Sequence, residues 1–316
     1  MRARRASLAL TAGALLATGL TACEPTEPAA FTVVPLAIGP DTTPGDGVCA
    51  TGGGQCSLRA AVEEANALDT RTEITVPAGP VQEADLTVTG AITLLPGGAV
   101  QDLRNVSWTI ADGAQLTVTD AQFGPVVVDG TFLARRVALG GGVPPVFAGD
   151  ALVEVGTTGT ALVTNATVIA WPAPFVGNAG VLSIHGTTVL GDANPGPATI
   201  TTATGGRTRL SATVFLGGAI VVDVCAGVAP TSYGYNLAPD TTCGLVMTGD
   251  RQDFSETSIT PQPGSARVDA IPSGTLHCGT GWNDDVSSGD TAVRPFDGDL
   301  DETAECDSGA HELRPS

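Results

Sequence analysis

The chain has no lysine: all 14 of its basic residues are arginine, set against 33 acids in 316 residues. A surface that acidic repels phosphate backbones and anionic headgroups, which argues against a nucleic-acid partner and for attraction of cations. Aromatic residues are scarce at 4%, whereas 41 glycines and abundant Thr, Val and Ala point to many short strands joined by tight turns. Asn-Gly hairpin signals are absent, and Asp-Gly occurs only at Asp46, Asp112, Asp129 and Asp297. No cysteine pair has the CxxC spacing of a zinc site, and the three histidines, His185, His277 and His311, are scattered. There is no Gly-x-Ser-x-Gly elbow, and His277 beside Cys278 reads as the loop neighbour of a disulfide, so nothing suggests a nucleophilic triad.

The one long apolar run lies at the start. Arg2, Arg4 and Arg5 precede the stretch Ala6 to Leu20, which is too short to span a membrane, and Leu20-Thr-Ala-Cys23 follows. This is the pattern of a secretory signal peptide over residues 1–22, and its end resembles the bacterial lipobox, whose cysteine is acylated and becomes the new N-terminus. Acyl chains contribute about 0.8 kcal/mol per buried methylene, and stable anchoring takes more than one chain, which a multiply acylated Cys23 would supply. The expectation is a bacterial lipoprotein, extracytoplasmic and membrane-anchored at the cell surface or in the periplasm. Cleavage removes three arginines and no acid, leaving 11 arginines against 33 acids and a net charge of −22. Residues 23–45 carry Pro25, Pro28, Pro35, Pro40 and Pro44 with little periodicity and read as an extended tether. Residues 46–316 read as one domain: an N-terminal cap over 46–72, coils over about 73–246, and a C-terminal cap region over about 247–316.

Six cysteines remain in that domain, and an even number in an exported chain implies disulfides. Fifteen pairings are possible, but sequential clustering favours Cys49 with Cys56, Cys225 with Cys243, and Cys278 with Cys306. Each loop would contribute on the order of 2 to 4 kcal/mol.

Between Ile74 and Val246 a weak theme recurs: alternating apolar residues, a small or polar corner, then another apolar residue. The corners Asp120, Arg136, Asn165, Gly186 and Ser211 lie about 23 residues apart on average. Such a period with strand alternation fits stacked solenoid coils, with a β-sandwich as the weaker alternative. The expected fold is therefore all-β, a single-stranded parallel β-helix, whose open ends need covering.

One short helix stands out in this strand-and-turn sequence, at residues 56–67, CSLRAAVEEANA. Ser57 is the candidate helix cap, and Leu58, Ala61, Val62 and Ala65 form an apolar stripe at i, i+3, i+4 and i+7. Arg59, Glu63, Glu64 and Asn66 fall largely on the other side. That suits a lid over an apolar solenoid end, stapled by Cys49 and Cys56.

The stretch resembles the N-terminal Cys-Ser-Leu-Arg-Glu-Ala motif domain of bacterial surface proteins, which precedes right-handed parallel β-helix repeats. The segments Cys225-Ala-Gly to Cys243-Gly, Pro263-Gly-Ser-Ala-Arg-Val-Asp269 and Cys306-Asp-Ser-Gly-Ala-His-Glu312 resemble choice-of-anchor Q domain proteins. The resemblance implies a right-handed parallel β-helix with a short N-terminal capping helix and a disulfide-stapled C-terminal cap; it implies no general catalytic activity. Against the family pattern, Ala60 replaces a glutamate at the third helical position, which leaves half of a reciprocal capping box. On that reading Ala60→Glu adds a few tenths to about 1 kcal/mol of stability.

Two chemistries have candidates. A polysaccharide lyase or hydrolase would draw on Arg135, Arg136, Arg207, Arg209 and Asp120, should stacking bring them together. The alternating carboxylates Asp297, Asp299 and Asp301 suit a hard cation such as calcium, although the EF-hand glycine and twelfth-position glutamate are missing, and a solvated acidic loop is the plainer reading. The favoured function is a surface binding, adhesion or structural module without catalysis, with cell-surface or environmental polysaccharide as its possible ligand and a carbohydrate-active enzyme as the alternative.

Overall fold

The computed structural model describes residues 27–316 apart from 69, 82, 84, 99–100, 141–150, 170–173, 191–197, 218–222, 277, 279–302, 312 and 314–316. Cys23 and the expected signal peptide over residues 1–22, together with Asp297, Asp299 and Asp301, thus lie outside the described residues.

Strands of three to five residues alternate in and out, and that alternation builds the fold. In Gln115–Thr119, Leu116 and Val118 point inward and are fully buried, while Gln115, Thr117 and Thr119 are half-exposed. Each coil contributes one strand to each of three parallel sheets, giving one sheet of nine strands and two of seven. This is a parallel β-helix solenoid. Because register is kept from coil to coil, inward residues stack in columns: Leu116 pairs with Phe132, Phe132 with Ala161, and Ala161 with Leu182. Trp108, Phe123 and Phe132, one from each sheet, fill the interior of neighbouring coils, with ring centroids 5.2 and 5.6 Å apart.

The bend out of the nine-stranded sheet is made by a single residue in the left-handed region. Asp120, Arg136, Asn165 and Gly186 stand at these corners with φ near +50°. The fifth corner is Ala212, φ 50°, and not Ser211. Serine is the better turn former, but it occupies the last place of strand Arg207–Ser211 in register with His185, so the ladder decides the corner and alanine takes the strain. The opposite bend, into the nine-stranded sheet, requires glycine for space: a Cβ at Gly159 would stand 2.0 Å from the Val128 carbonyl oxygen.

The N-terminal cap departs from expectation. The tether expected over residues 23–45 does not hold for residues 29–45, which belong to the domain, and its first described strand starts at Ala29. Strand Ala29–Thr32 pairs in parallel with Thr72–Val76 and so covers the open edge of the nine-stranded sheet. Val33 and Val34 continue with bonds to the carbonyls of Thr75 and Cys56. The prolines that break the periodicity, Pro28 and Pro35, flank this run rather than interrupt it.

The helix, Leu58–Ala67, lies over the first coils with Leu58, Ala61, Val62 and Ala65 buried. Ser57 caps it, accepting from Ala60 N at 3.0 Å and donating to the Gly39 carbonyl at 2.6 Å. Its polar side is occupied as well. Glu64 is fully buried and accepts from the backbone N–H groups of Gly45 and Gly47, while Glu63 accepts from Asp41 N. Asn66 binds Thr87 and Thr89 of the first coil, and Arg59 reaches Glu83 at 3.1 Å. The helix is therefore gripped on two sides, by the coil and by the 41–50 loop, which the Cys49–Cys56 disulfide ties to its start.

At the other end Cys225 bonds Cys243, and Cys278 bonds Cys306. Arg267, with no exposed surface, donates to the carbonyls of Ser258 (2.9 Å) and Ile259 (3.0 Å). The C-terminal segment then runs along the corner column as a strap. Ser308 Oγ donates to Tyr235 O, Gly309 N to Ala212 O, Ala310 N to Thr188 Oγ1, and His311 Nε2 pairs with Thr167 Oγ1. Gly309 has φ +96°, and a Cβ there would lie 2.5 Å from Thr188 Oγ1.

Candidate functional site

Outside the cap regions the nine-stranded sheet carries strands of five or six residues, whereas the other two sheets carry mostly three-residue ones. Its outer face is therefore the broadest flat surface of the solenoid. Two outward columns cross it: Thr117, Leu133, Leu162, Ser183 and Arg209 in one, and Thr119, Arg135, Thr164, His185 and Ser211 in the other.

Toward the C-terminal end these columns form the floor of a hollow of about 350 Å³. Leu162 and Thr164 come from one coil, Ser183 and His185 from the next, and Arg209 and Ser211 from the third. Tyr233, 55% exposed, together with Ile184 and Leu276, completes the lining. His185 Nδ1 lies 2.7 Å from Ser211 Oγ. The lining thus offers an aromatic ring, an apolar patch, a guanidinium and several hydroxyl and imidazole hydrogen-bonding groups. No carboxylate is among the described residues that line it.

The enzymatic candidates do not converge there as a set. Asp120 and Arg136, at consecutive corners, are closed on each other by a two-pronged ion pair of 2.6 and 2.7 Å. Arg135 stands one coil before Thr164 in the outer column, and Arg207 shares the outward face of its strand with Arg209. Of that group only Arg209 lines the hollow. Elsewhere, Asp102 is held below the usual carboxylate range, first by hydrogen bonds from the Arg104 guanidinium at 2.9 Å. A carboxyl so stabilised as the anion is a poor proton donor near neutral pH. Among the described residues no three His, Cys, Asp or Glu side chains are grouped to hold a metal ion, and no helix is long and apolar enough to cross a membrane.

Comparison with known proteins adds nothing to this geometry. No family model, curated protein or solved structure matches the chain.

His185, Ser211, Tyr233 and Leu276 were not legible as a site in the sequence. A signal existed for two of them: His185 and Ser211 each stand one residue before a corner, Gly186 and Ala212. Taking Ser211 itself as the corner slips the register by one and hides the match.

Proposed function

We propose that the protein is an extracytoplasmic lipoprotein, held to a bacterial membrane through Cys23, whose β-helix is a surface module that binds polysaccharide without catalysis. The three disulfides support an oxidising compartment, and the charge pattern and Leu20-Thr-Ala-Cys23 support the anchor. The resemblance to choice-of-anchor Q surface proteins points the same way.

The observation that carries the binding reading is the hollow. Tyr233 presents a ring for stacking on the apolar face of a sugar, and Arg209 and Ser183 present hydrogen-bonding groups to its hydroxyls. A chain laid along the axis meets a new coil about every 4.8 Å, close to the length of one sugar residue. Glycosidic hydrolysis ordinarily needs two flanking carboxylates, and the described residues of the lining supply none. The His185–Ser211 pair is what the strand register alone produces, since the two residues face each other across neighbouring coils.

The purified protein, screened against bacterial and plant glycans for both retention and product release, should retain at least one polymer without releasing reducing or unsaturated sugar. Tyr233→Ala should weaken that retention roughly three- to tenfold, the equivalent of about 0.5–1.5 kcal/mol of stacking. Product release by the wild type would establish the enzymatic alternative, and retention indifferent to Tyr233 would remove the hollow as the site. The anchor is tested separately: Cys23→Ala should move the protein from the membrane fraction to the medium, and persistence in the membrane would refute acylation at Cys23.

A further inference from the structure

Eight large apolar side chains are exposed among the described residues, and four of them, Val34, Leu36, Ile38 and Val48, belong to the N-terminal cap. Leu36 and Ile38 are each 61% exposed. Leu36 also stands in a costly conformation. Val34 to Ala37 form a turn closed by Ala37 N on Val34 O at 3.2 Å, with Pro35 second and Leu36 third at φ +61°. That position calls for glycine or asparagine, since a side chain on a left-handed residue is strained. Leucine is strained there, and no burial within the domain compensates it, so the side chain's use lies outside the domain.

Position says what it meets. The first strand starts at Ala29, so the six steps from Cys23 span at most about 22 Å even when fully extended. We propose that the turn Val34–Ile38 seats its apolar side chains in the interfacial layer of the membrane that holds the anchor, making the N-terminal cap a membrane-docking face. The proposal rests on the lipoprotein reading for its location. Of the nearby acids, Asp41 is turned to the backbone N–H groups of Thr43 and Ala50, Asp46 accepts from Val48 N and Glu64 is buried, while Glu27 is exposed beside the first strand. With a chain this acidic the fitting surface is a zwitterionic one, where apolar insertion is not offset by repulsion between like charges.

The test uses the full lipoprotein reconstituted in phosphatidylcholine vesicles, with Ile38→Trp as reporter and Val246→Trp, 84% exposed at the far end, as control. Lipids brominated at a shallow chain position should extinguish most of the emission added by Ile38→Trp and none of that added by Val246→Trp. Mass measurement of the Cys23 peptide reports the anchor independently, and co-sedimentation reports whether the protein is on the vesicles at all. Acylated, vesicle-bound protein whose added indole stays bright would overturn the docking face while leaving the anchor in place. Quenching without acylation would keep the docking face and refute the anchor; neither signal would refute both. A concentration-dependent emission shift in detergent without lipid would mean that a second copy covers the turn, which overturns the proposal as well. Leu36→Gly supplies a second variant: glycine takes the turn conformation freely, so the fold should persist while vesicle quenching of the Ile38→Trp reporter falls.

Discussion

Arg267→Met lowers the stability of the domain by about 3 to 5 kcal/mol, read as a fall in the denaturant midpoint without a change of slope. The size follows from what the guanidinium holds. Its two prongs bind the Ser258 and Ile259 carbonyls, and its Nε faces Ser308 O at 3.5 Å. Glu256 lies 3.8 Å away and itself accepts from Ser265. Methionine fills similar space and leaves carbonyls buried without donors, at about 1–3 kcal/mol each. Lysine should rescue only part of the loss, because a single ammonium cannot serve carbonyls arranged for a planar fork. A midpoint unmoved by Arg267→Met would mean that the C-terminal cap is held by its disulfide and packing alone.

Ala60→Glu destabilises the domain by at least ~2 kcal/mol, the opposite of what the family pattern implies. In isolation the helix would gain a reciprocal cap, with Ser57 Oγ already accepting from Ala60 N. Ala60, however, has no exposed surface, and the chain passing over the helix start at Gly39 is bonded to Ser57. A glutamate there must displace packed atoms, at about 1–3 kcal/mol, and bury a carboxyl besides. Ala60→Gly, which adds no bulk, is the control and should cost only about 1 kcal/mol, the ordinary helix-propensity difference. A rise in melting temperature for Ala60→Glu would reinstate the capping-box expectation.

The contrast shows what the sequence makes legible. Alternation along Leu116, Val118, Phe132 and Ala134 is a local property, and it led directly to stacked coils. The corners Asp120, Asn165 and Gly186 announced themselves because those residue types tolerate a left-handed turn, whereas Arg136 followed only from the spacing of the repeat. Ala212 did not, since its conformation is imposed by register with neighbouring coils. Glu64 looked like a solvent-facing helix residue because its partners, Gly45 and Gly47, come from a loop that carries no sign of where it folds. Strand Ala29–Thr32 is four residues between prolines and has no pattern of its own; it is a strand because the adjacent sheet edge needs one. The hollow was hidden for a related reason. Its lining spans Leu162 to Leu276, and the successive corners from Asp120 to Ala212 are unevenly spaced, so residues that become neighbours share no fixed interval.

The strap along the corners alters how the molecule yields. In a solenoid each coil rests only on its neighbours, so loss can begin at an end and travel inward one turn at a time. Here Ser308, Gly309, Ala310 and His311 fasten Tyr235, Ala212, Thr188 and Thr167 in sequence, one residue to each of four consecutive coils. The seam works like the lacing of a boot. The last coils cannot peel singly: they let go together, once the lace itself has been drawn out.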